Sequence, residues 1–162
     1  MKKVFIDGSA GTTGLKVAAR LAKRKDIEVI TLDEAVRKDV KARQDAMNQA
    51  DVVFLCLPDD AAKEAVTLVE NADTVIIDTS TAHRVAEGWT YGFAELAGLR
   101  EQIQNGKRIA NPGCHASGFL SLATPLTEKG VIPKDMQLSC FSLTGYSGGG
   151  KKMIAQYEEE GR

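Results

Sequence analysis

Short apolar runs alternate with helix-patterned segments along most of the chain. The apolar runs lack the period-two alternation of a half-exposed sheet, which indicates strands that are buried on both faces. Between the runs, apolar side chains recur at helical spacing, as at Leu15, Ala18 and Ala22. The predicted strands are residues 3–7, 27–32, 51–57, 74–78 and 108–110, and the predicted helices are residues 12–24, 40–49, 59–71 and 94–105. This alternation predicts an α/β fold, a doubly wound parallel sheet covered by helices.

The last part of the chain has a less regular pattern. Its predicted elements are a loop at residues 79–93, a turn at 111–113, a helix from about 114 or 115 to 129, a strand at 137–144 and a helix at 151–160. The last strand and helix begin a new pattern that nothing later in the sequence covers. We therefore expect residues 1–113 to form one domain and residues 114–162 to begin a second, α+β substrate domain that is cut short.

Charge and apolar content exclude some classes of function. The formal net charge is −1, so the protein has no basic field for nucleic acid or membrane surfaces. No apolar run is long enough to span a bilayer, and the N-terminus lacks the apolar stretch of a signal peptide. We therefore expect a cytoplasmic protein that binds neither nucleic acid nor membrane. The three cysteines lack metal-ligand spacing, so neither a disulfide framework nor a metal site is expected.

A loop with glycine at every third position joins the first predicted strand to the first predicted helix. Its residues are Gly8, Ser9, Ala10, Gly11, Thr12, Thr13 and Gly14. Glycine lets the backbone turn sharply and approach a pyrophosphate, and the free amides of a helix N-terminus favour its negative charge. The serine and threonine hydroxyls add further donors. In this strand–loop–helix context the triplet predicts a Rossmann-like dinucleotide-binding domain; a tight turn without a ligand is the alternative.

The residues after the second predicted strand bear on the choice of cofactor. Asp33 lies 19 positions after Gly14, where an acidic side chain commonly binds the ribose hydroxyls of NAD. Arg37 and Lys38 follow closely and could pair with the 2′-phosphate of NADP, or form a solvated helix start. The residues alone leave the choice between NAD and NADP open.

Cys114 is the candidate nucleophile. It follows an Asn-Pro-Gly turn at the start of a predicted helix, and a helix N-terminus stabilises a thiolate that can attack an activated acyl group. A small residue packed at a helix end is the alternative. Cys56 and Cys140 lie in predicted apolar strands and are interpreted as inert core thiols.

The two histidines are weaker candidates for a base. His115 is adjacent to Cys114, but neighbouring helical residues point about 100° apart. His83 lies in a loop at the carboxyl edge of the predicted sheet, where ligands bind in such folds. A surface position in that loop is the preferred interpretation of His83.

Six short motifs occur in an order that is typical of one enzyme family. They are residues 8–14 (GSAGTTG), 56–60 (CLPDD), 80–84 (STAHR), 91–93 (YGF), 111–114 (NPGC) and 145–152 (GYSGGGKK). Together they resemble N-acetyl-γ-glutamyl-phosphate reductase, the arginine-biosynthesis enzyme, in its shorter form. The aspartate-semialdehyde dehydrogenases are broader relatives that share the plan with different details.

The resemblance implies a reaction and a set of site residues. NADP(H) would bind on the glycine loop, and Cys114 would attack N-acetyl-γ-glutamyl phosphate, releasing phosphate and leaving a thioester. Hydride from NADPH would then reduce the thioester to N-acetylglutamate semialdehyde. The implied site residues are Cys114 as nucleophile, Ser147 and Gly148 near the nicotinamide, and Ser80, Arg84 and Asn111 toward the substrate. For Arg84 a structural salt bridge is the alternative.

Three features depart from the pattern of that family. His115 stands where the family usually has tyrosine, and Ala94 stands where it usually has proline. Family members also carry a catalytic histidine beyond the point where this sequence ends, so we expect the chain to be an N-terminal part. Relatives assemble as oligomers, and a homo-oligomer is expected here. The competing hypotheses are a nucleotide-binding module without catalysis and a reductase of another acyl phosphate, such as aspartyl phosphate.

Overall fold

Six parallel strands form the centre of the computed structural model, which describes residues 1–146 and 148–159. The strands are β1 (Lys2–Asp7), β2 (Ile27–Ile30), β3 (Val52–Leu55), β4 (Val75–Asp78), β5 (Thr90–Tyr91) and β6 (Arg108–Ala110). Their order across the sheet is β2-β1-β3-β4-β6-β5, and every neighbouring pair is parallel. The doubly wound α/β fold predicted from the sequence is confirmed.

Helices connect the strands and extend beyond them. They are α1 (Thr12–Leu21), α2 (Val40–Gln49), α3 (Asp59–Thr67), α4 (Leu99–Asn105), α5 (Cys114–Glu128) and α6 (Gly150–Glu159). Local signals explain two of the starts. The Asp39 side chain caps α2 by accepting from the Ala42 amide over 2.8 Å, and Asp59 and Asp60 place negative charge in the first turn of α3.

The hydrophobic core lies between the central strands and helices α2 and α3. Met47 of α2, Val53 and Leu55 of β3, and Ile76 of β4 are 0% exposed. The short side chains of α3 pack against this cluster. The predicted apolar face of α1 is only partly buried, since Leu15 is 59% exposed. Burial of β3 and β4 therefore fixes the positions of the loops that follow their carboxyl ends.

Several predicted elements differ from the structure. The second strand and the helices predicted at 12–24, 59–71 and 94–105 are shorter than expected. Residues 137–144, predicted as a strand, form none, because no other described segment pairs with them, and their side chains are exposed. Conversely, an element that was not predicted, β5, forms within the predicted loop 79–93, where Thr90 and Tyr91 pair with Ile109 and Ala110 of β6.

The chain divides into two compact units, one from Met1 to Ser117 and one that begins at Gly118. The second unit contains most of α5, a turn closed by the Val131 amide on the Leu126 carbonyl over 2.9 Å, and α6. Within it the Tyr146 hydroxyl donates to Glu158 over 2.7 Å. No helix within residues 1–146 and 148–159 is both long and apolar enough to cross a membrane.

Candidate active site

The strand order reverses direction between β1 and β3. The chain leaves β1 for β2 on one side and later returns to β3 on the other side of β1. In open α/β sheets, ligands bind at such a reversal, outside the carboxyl ends of the strands. The loops that follow β1, β3 and β4 all start at this edge, so we consider the candidate site there.

The loop after β1, residues 8–14, is called the glycine loop here. Gly8 has a φ of 84°, and the Gly11 amide donates to its carbonyl over 3.0 Å. A Cβ at Gly8 would lie 2.3 Å from the Cys56 carbonyl oxygen, and one at Gly14 would lie 2.3 Å from the Gly8 carbonyl oxygen. The loop therefore has no room for side chains at these two positions, and its bare backbone fits close approach to a pyrophosphate.

The other side chains of the glycine loop are open to solvent or half-buried. Ser9, Ala10 and Thr13 are exposed, and Gly11 and Thr12 are intermediate. Helix α1 starts at Thr12, and the amides of a first helical turn have no acceptor within the helix. The N-terminus of α1, the bare glycine backbone and the exposed hydroxyls thus share one loop that fits a bound anion.

A buried ion pair lies at the end of β1, directly before the glycine loop. Asp7, the last residue of β1, is 5% exposed and accepts from Arg43 of α2 over 2.8 Å and 3.2 Å. Arg43 also faces Glu64 over 3.6 Å. Burial by itself lowers the pKa of Arg43, but the hydrogen bonds and charge of Asp7 outweigh it and raise the pKa overall. The pair fixes the end of β1 where the glycine loop begins.

The residues predicted to select the cofactor lie in the turn after β2. Arg37 pairs with Glu34 over 2.7 Å, an i,i+3 pair within that turn. The side chains of Asp33 and Lys38 are exposed. Arg37 therefore has an anionic partner within the chain, in agreement with the alternative of a solvated, charged helix start.

The loop after β4, residues 79–89, is called the β4 loop here, and it folds around a buried carboxylate. Asp78 is 0% exposed and accepts from the Ser80 amide over 2.9 Å, the Ser80 hydroxyl over 2.7 Å and His83 Nδ1 over 2.6 Å. The His83 ring stacks on Trp89, with centroids 4.0 Å apart. His83 is only 8% exposed, so its interpretation as a surface residue is wrong. The buried carboxylate draws the ring inward because it needs donors.

Asp59, in the first turn of α3, holds the β4 loop from the outside. Its carboxylate accepts from the amide of Thr81 over 2.9 Å and also from the Thr81 hydroxyl. These hydrogen bonds lower the pKa of Asp59. Thr79 adds a third connection, because its hydroxyl donates to the Leu55 carbonyl of β3 over 2.9 Å. The β4 loop is therefore attached to the ends of both β3 and α3.

Cys114 is the first residue of α5, and its side chain is exposed. The preceding turn is tied to β4, because the Asn111 amide donates to the Asp78 carbonyl over 2.7 Å. The Arg84 guanidinium packs on Gly113, where an added Cβ would lie 2.5 Å from Nη1. Arg84 Nε is buried and has no hydrogen-bond partner. An arginine of the β4 loop thus lies beside the residue that precedes the candidate nucleophile.

Comparison with known proteins gives this arrangement a family. Residues 3–106 match the family model described as semialdehyde dehydrogenase, NAD binding domain. This chain belongs to that family. It is also 53% identical over 160 residues to N-acetyl-gamma-glutamyl-phosphate reductase of Brucella anthropi, covering 98% of this chain and 51% of that protein. The predicted resemblance and the prediction of a nicotinamide dinucleotide as cofactor are confirmed.

Solved structures of the wider family share the fold. Aspartate semialdehyde dehydrogenase from Francisella tularensis aligns with a TM-score of 0.69 at 17% identity, over 99% of this chain and 49% of that one. The enzyme from Candida albicans, solved with NADP, aligns with a TM-score of 0.55 at 17% identity, over 80% and 47% of the two chains. The chain therefore spans about half the length of the curated relatives and solved structures that it matches.

The other two cysteines of the chain, Cys56 and Cys140, differ from each other in exposure. Cys56 is half-buried after β3, and burial raises the pKa of its thiol. Cys140 is exposed, so its interpretation as a core thiol is wrong, because the predicted strand around it does not form. Of the residues implied for the nicotinamide, Ser147 lies outside the described residues, and the Gly148 amide closes a turn on the Gly145 carbonyl over 2.8 Å.

Two buried charged groups were not among the candidate residues, although the sequence carried a signal for each. Asp7 and Asp78 both end apolar strands, and a carboxylate at the end of a buried strand needs a partner. The partners, Arg43 and His83, come from other positions in the chain. Sequence spacing does not reveal such pairs.

Proposed function

We propose that this chain provides the cofactor site and the nucleophile for NADPH-dependent reduction of N-acetyl-γ-glutamyl phosphate to N-acetylglutamate semialdehyde, a step of arginine biosynthesis. In this proposal residues 1–113 form the dinucleotide-binding domain, and residues 114–162 begin the catalytic domain. The observation that carries the proposal is the placement of exposed Cys114 at the start of α5, with the Arg84 guanidinium against the preceding glycine. The 53% identity to reductases of that name supports the choice of substrate.

The glycine loop fits the cofactor that the proposal requires. A Cβ at Gly8 or Gly14 would lie 2.3 Å from a backbone oxygen, so neither position has room for a side chain, and a bare backbone there suits close approach of a pyrophosphate. The residues proposed to bind the dinucleotide are Gly8, Ser9, Ala10, Gly11, Thr12, Thr13 and Gly14 from this loop, and Ser147 and Gly148 for the nicotinamide. When bound, the reduced nicotinamide supplies the hydride.

Cys114 acts on the acyl carbon of the substrate. Its thiolate attacks the carbonyl carbon, the carbon–oxygen bond to phosphate breaks, and phosphate departs with the electron pair, which leaves a thioester on Sγ. The N-terminus of α5 stabilises the negative charge of the thiolate. A hydride from the bound cofactor would reduce the thioester carbon, and cleavage of the carbon–sulfur bond would then release the aldehyde and restore the Cys114 thiolate.

Three polar residues surround this step in the proposal. Arg84 offers the terminal nitrogens of its guanidinium to the phosphate or a carboxylate of the substrate. Ser80 and Asn111 lie at the ends of β4 and β6, the same edge of the sheet as Cys114. We assign them to substrate contacts.

Replacement of the nucleophile tests the proposal. In the protein as its natural gene encodes it, Cys114→Ser should lower turnover of N-acetyl-γ-glutamyl phosphate by about 10⁴-fold or more, while the dissociation constant for NADPH stays unchanged. Cys140→Ser is the matched control, because Cys140 is also an exposed cysteine. Turnover is followed by the absorbance of the reduced nicotinamide.

Three outcomes would contradict the proposal. If Cys114→Ser retains turnover, the residue is not the nucleophile. If the unsubstituted protein binds NADPH but reduces neither N-acetyl-γ-glutamyl phosphate nor aspartyl phosphate, the chain belongs to a binding module. Aspartyl phosphate is assayed in parallel, and faster reduction of aspartyl phosphate than of N-acetyl-γ-glutamyl phosphate would move the assignment to another acyl phosphate.

A further inference from the structure

Asp78 at the end of β4 and His83 of the β4 loop form a buried pair that the proposed reaction does not use directly. Asp78 accepts three hydrogen bonds, from the Ser80 amide, the Ser80 hydroxyl and His83 Nδ1. An ionised carboxylate only accepts hydrogen bonds, so the Nδ1 that faces it is the protonated nitrogen of the ring. The pair is 2.6 Å apart, with Asp78 at 0% and His83 at 8% exposure. Buried charge-assisted hydrogen bonds of this length fix the geometry of both groups.

The indole of Trp89 fixes the plane of the His83 ring, which the hydrogen bond to Asp78 leaves free to rotate. The two rings are 12° from parallel with centroids 4.0 Å apart. The hydrogen bond to Asp78 sets the direction of the ring edge, and the stack sets the plane of its face. Asp78 is the last residue of β4 and Trp89 is the last residue of the β4 loop, so the His83 ring connects the end of the strand to the end of the loop.

The backbone on both sides of His83 is folded into consecutive turns. The Arg84 amide donates to the Thr81 carbonyl over 3.4 Å, and the Ala86 amide donates to the His83 carbonyl over 3.3 Å. Arg84 follows His83 directly, so the direction in which its side chain leaves the backbone depends on where the His83 ring is held. The Arg84 guanidinium then lies on Gly113, one residue before Cys114.

We propose that Asp78 and His83 are positioning residues that hold the Arg84 guanidinium against Gly113, where it meets the anionic group of the substrate at Cys114. The inference rests on the proposed function, because it assigns a purpose to the position of Arg84. His83 acts through Arg84 and does not exchange protons with the substrate. The arrangement requires a donor at the Nδ1 position of residue 83 and no side chain at residue 113.

Two variants of His83 distinguish the role of its hydrogen-bond donor from the role of its side-chain volume. The amide nitrogen of asparagine occupies the position of Nδ1, so His83→Asn keeps a donor for Asp78, whereas glutamine places its amide further along the side chain and loses that donor. We expect His83→Gln to raise the KM for the acyl phosphate by about 10- to 100-fold, as expected for a misplaced substrate-binding group. His83→Asn should restore the KM to within about fivefold of the parent. Val85→Ala is the control, because Val85 is in the same loop and 99% exposed.

A double-mutant cycle tests whether His83 acts through Arg84. In an Arg84→Gln background, His83→Gln should change the KM by less than about twofold, because the group that it positions is already gone. Multiplication of the two single effects would overturn the proposal. So would a fall in NADPH affinity of His83→Gln that matches the change in KM, because that result indicates general damage to the domain.

A crystallographic measurement keeps this inference separate from the proposed function. In crystals of His83→Gln the Arg84 guanidinium should leave Gly113, and in crystals of His83→Asn it should stay. If Arg84 remains on Gly113 in both variants, the positioning role is wrong even where the enzyme reduces the acyl phosphate. If the unsubstituted protein reduces no acyl phosphate but Arg84 moves as expected, the positioning geometry holds and only the proposed function fails.

Discussion

The two loops at the edge of the sheet are built in opposite ways. The glycine loop takes its shape from missing side chains, because a Cβ at Gly8 or Gly14 would lie 2.3 Å from a backbone oxygen. The β4 loop takes its shape from side chains that are present, since His83 hydrogen-bonds to Asp78 at the end of β4 and stacks on Trp89. One loop therefore offers backbone amides to a ligand, and the other offers an oriented cation.

This difference determines which property a substitution in each loop changes. A substitution in the glycine loop meets rigid backbone, so the strain spreads into β1 and β3 and affects the stability of the domain. A substitution in the β4 loop removes a donor or displaces one flexible side chain, so we expect it to change the orientation of Arg84 more than the positions of the strands. Loss of stability and loss of geometry are thus separable by measurement in this domain.

Gly8→Ala should have the largest effect on stability. Gly8 and Gly88 have nearly the same φ, 84° and 78°, but a Cβ at Gly88 meets nothing within 4 Å. We expect Gly8→Ala to lower the free energy of unfolding by about 2–5 kcal/mol and to abolish NADPH binding, because strain and collision add. Gly88→Ala should cost only about 1 kcal/mol, from the positive φ alone. Urea denaturation of both variants measures the difference, and equal losses would show that the collision with Cys56 is unimportant.

Gly113→Ala should have a small effect on stability and a large effect on activity. The φ of Gly113 is not positive, and the nearest atom to an added Cβ is Nη1 of the flexible Arg84 side chain, at 2.5 Å. We expect the free energy of unfolding to change by less than about 1 kcal/mol, while kcat/KM falls by about 10- to 100-fold as Arg84 is displaced. Calorimetry and steady-state kinetics check the two parts. Unchanged kinetics would contradict a role for Arg84 beside Cys114.

The smallest effect is expected at Asp59, which holds the β4 loop by an exposed contact. Because hydrogen bonds from Thr81 hold the pKa of Asp59 below its value in the unfolded chain, the carboxylate stabilises the fold above about pH 4. That contribution is lost as the pH falls through the lowered, folded-state pKa. Asp59→Asn should therefore be less stable than the parent by at most about 1 kcal/mol at neutral pH, with the difference shrinking in acid.

Chemical denaturation across this pH range provides the test. Asp60→Asn is the matched control, because Asp60 is the next residue in α3 and faces Lys63 over 3.9 Å instead of the β4 loop. A difference between Asp59→Asn and the parent that persists unchanged in acid would show that the Thr81 contact does not depend on the charge of Asp59.

Much of the domain could be predicted from local sequence. The buried strands and the helices between them follow from apolar runs and helical spacing, and Asp39 and the acids of α3 mark helix starts. The prediction failed at residues 137–144, where an apolar, β-prone pattern has no partner strand among the described residues. It also missed β5, a two-residue strand that exists only because β6 lies beside it.

The sequence by itself determined the fold class, the glycine loop and the position of Cys114 at a helix start, because these depend on periodicity and turn chemistry within a few residues. Only the tertiary structure decided that His83 is buried, that Arg43 pairs with Asp7, and that Arg84 reaches Gly113. The Arg43 and Arg84 contacts join residues from distant parts of the chain, and the burial of His83 depends on how the β4 loop folds over Asp78. Their partners are chosen by strand order and by the need of each buried polar group for a hydrogen bond, and neither is encoded in local spacing.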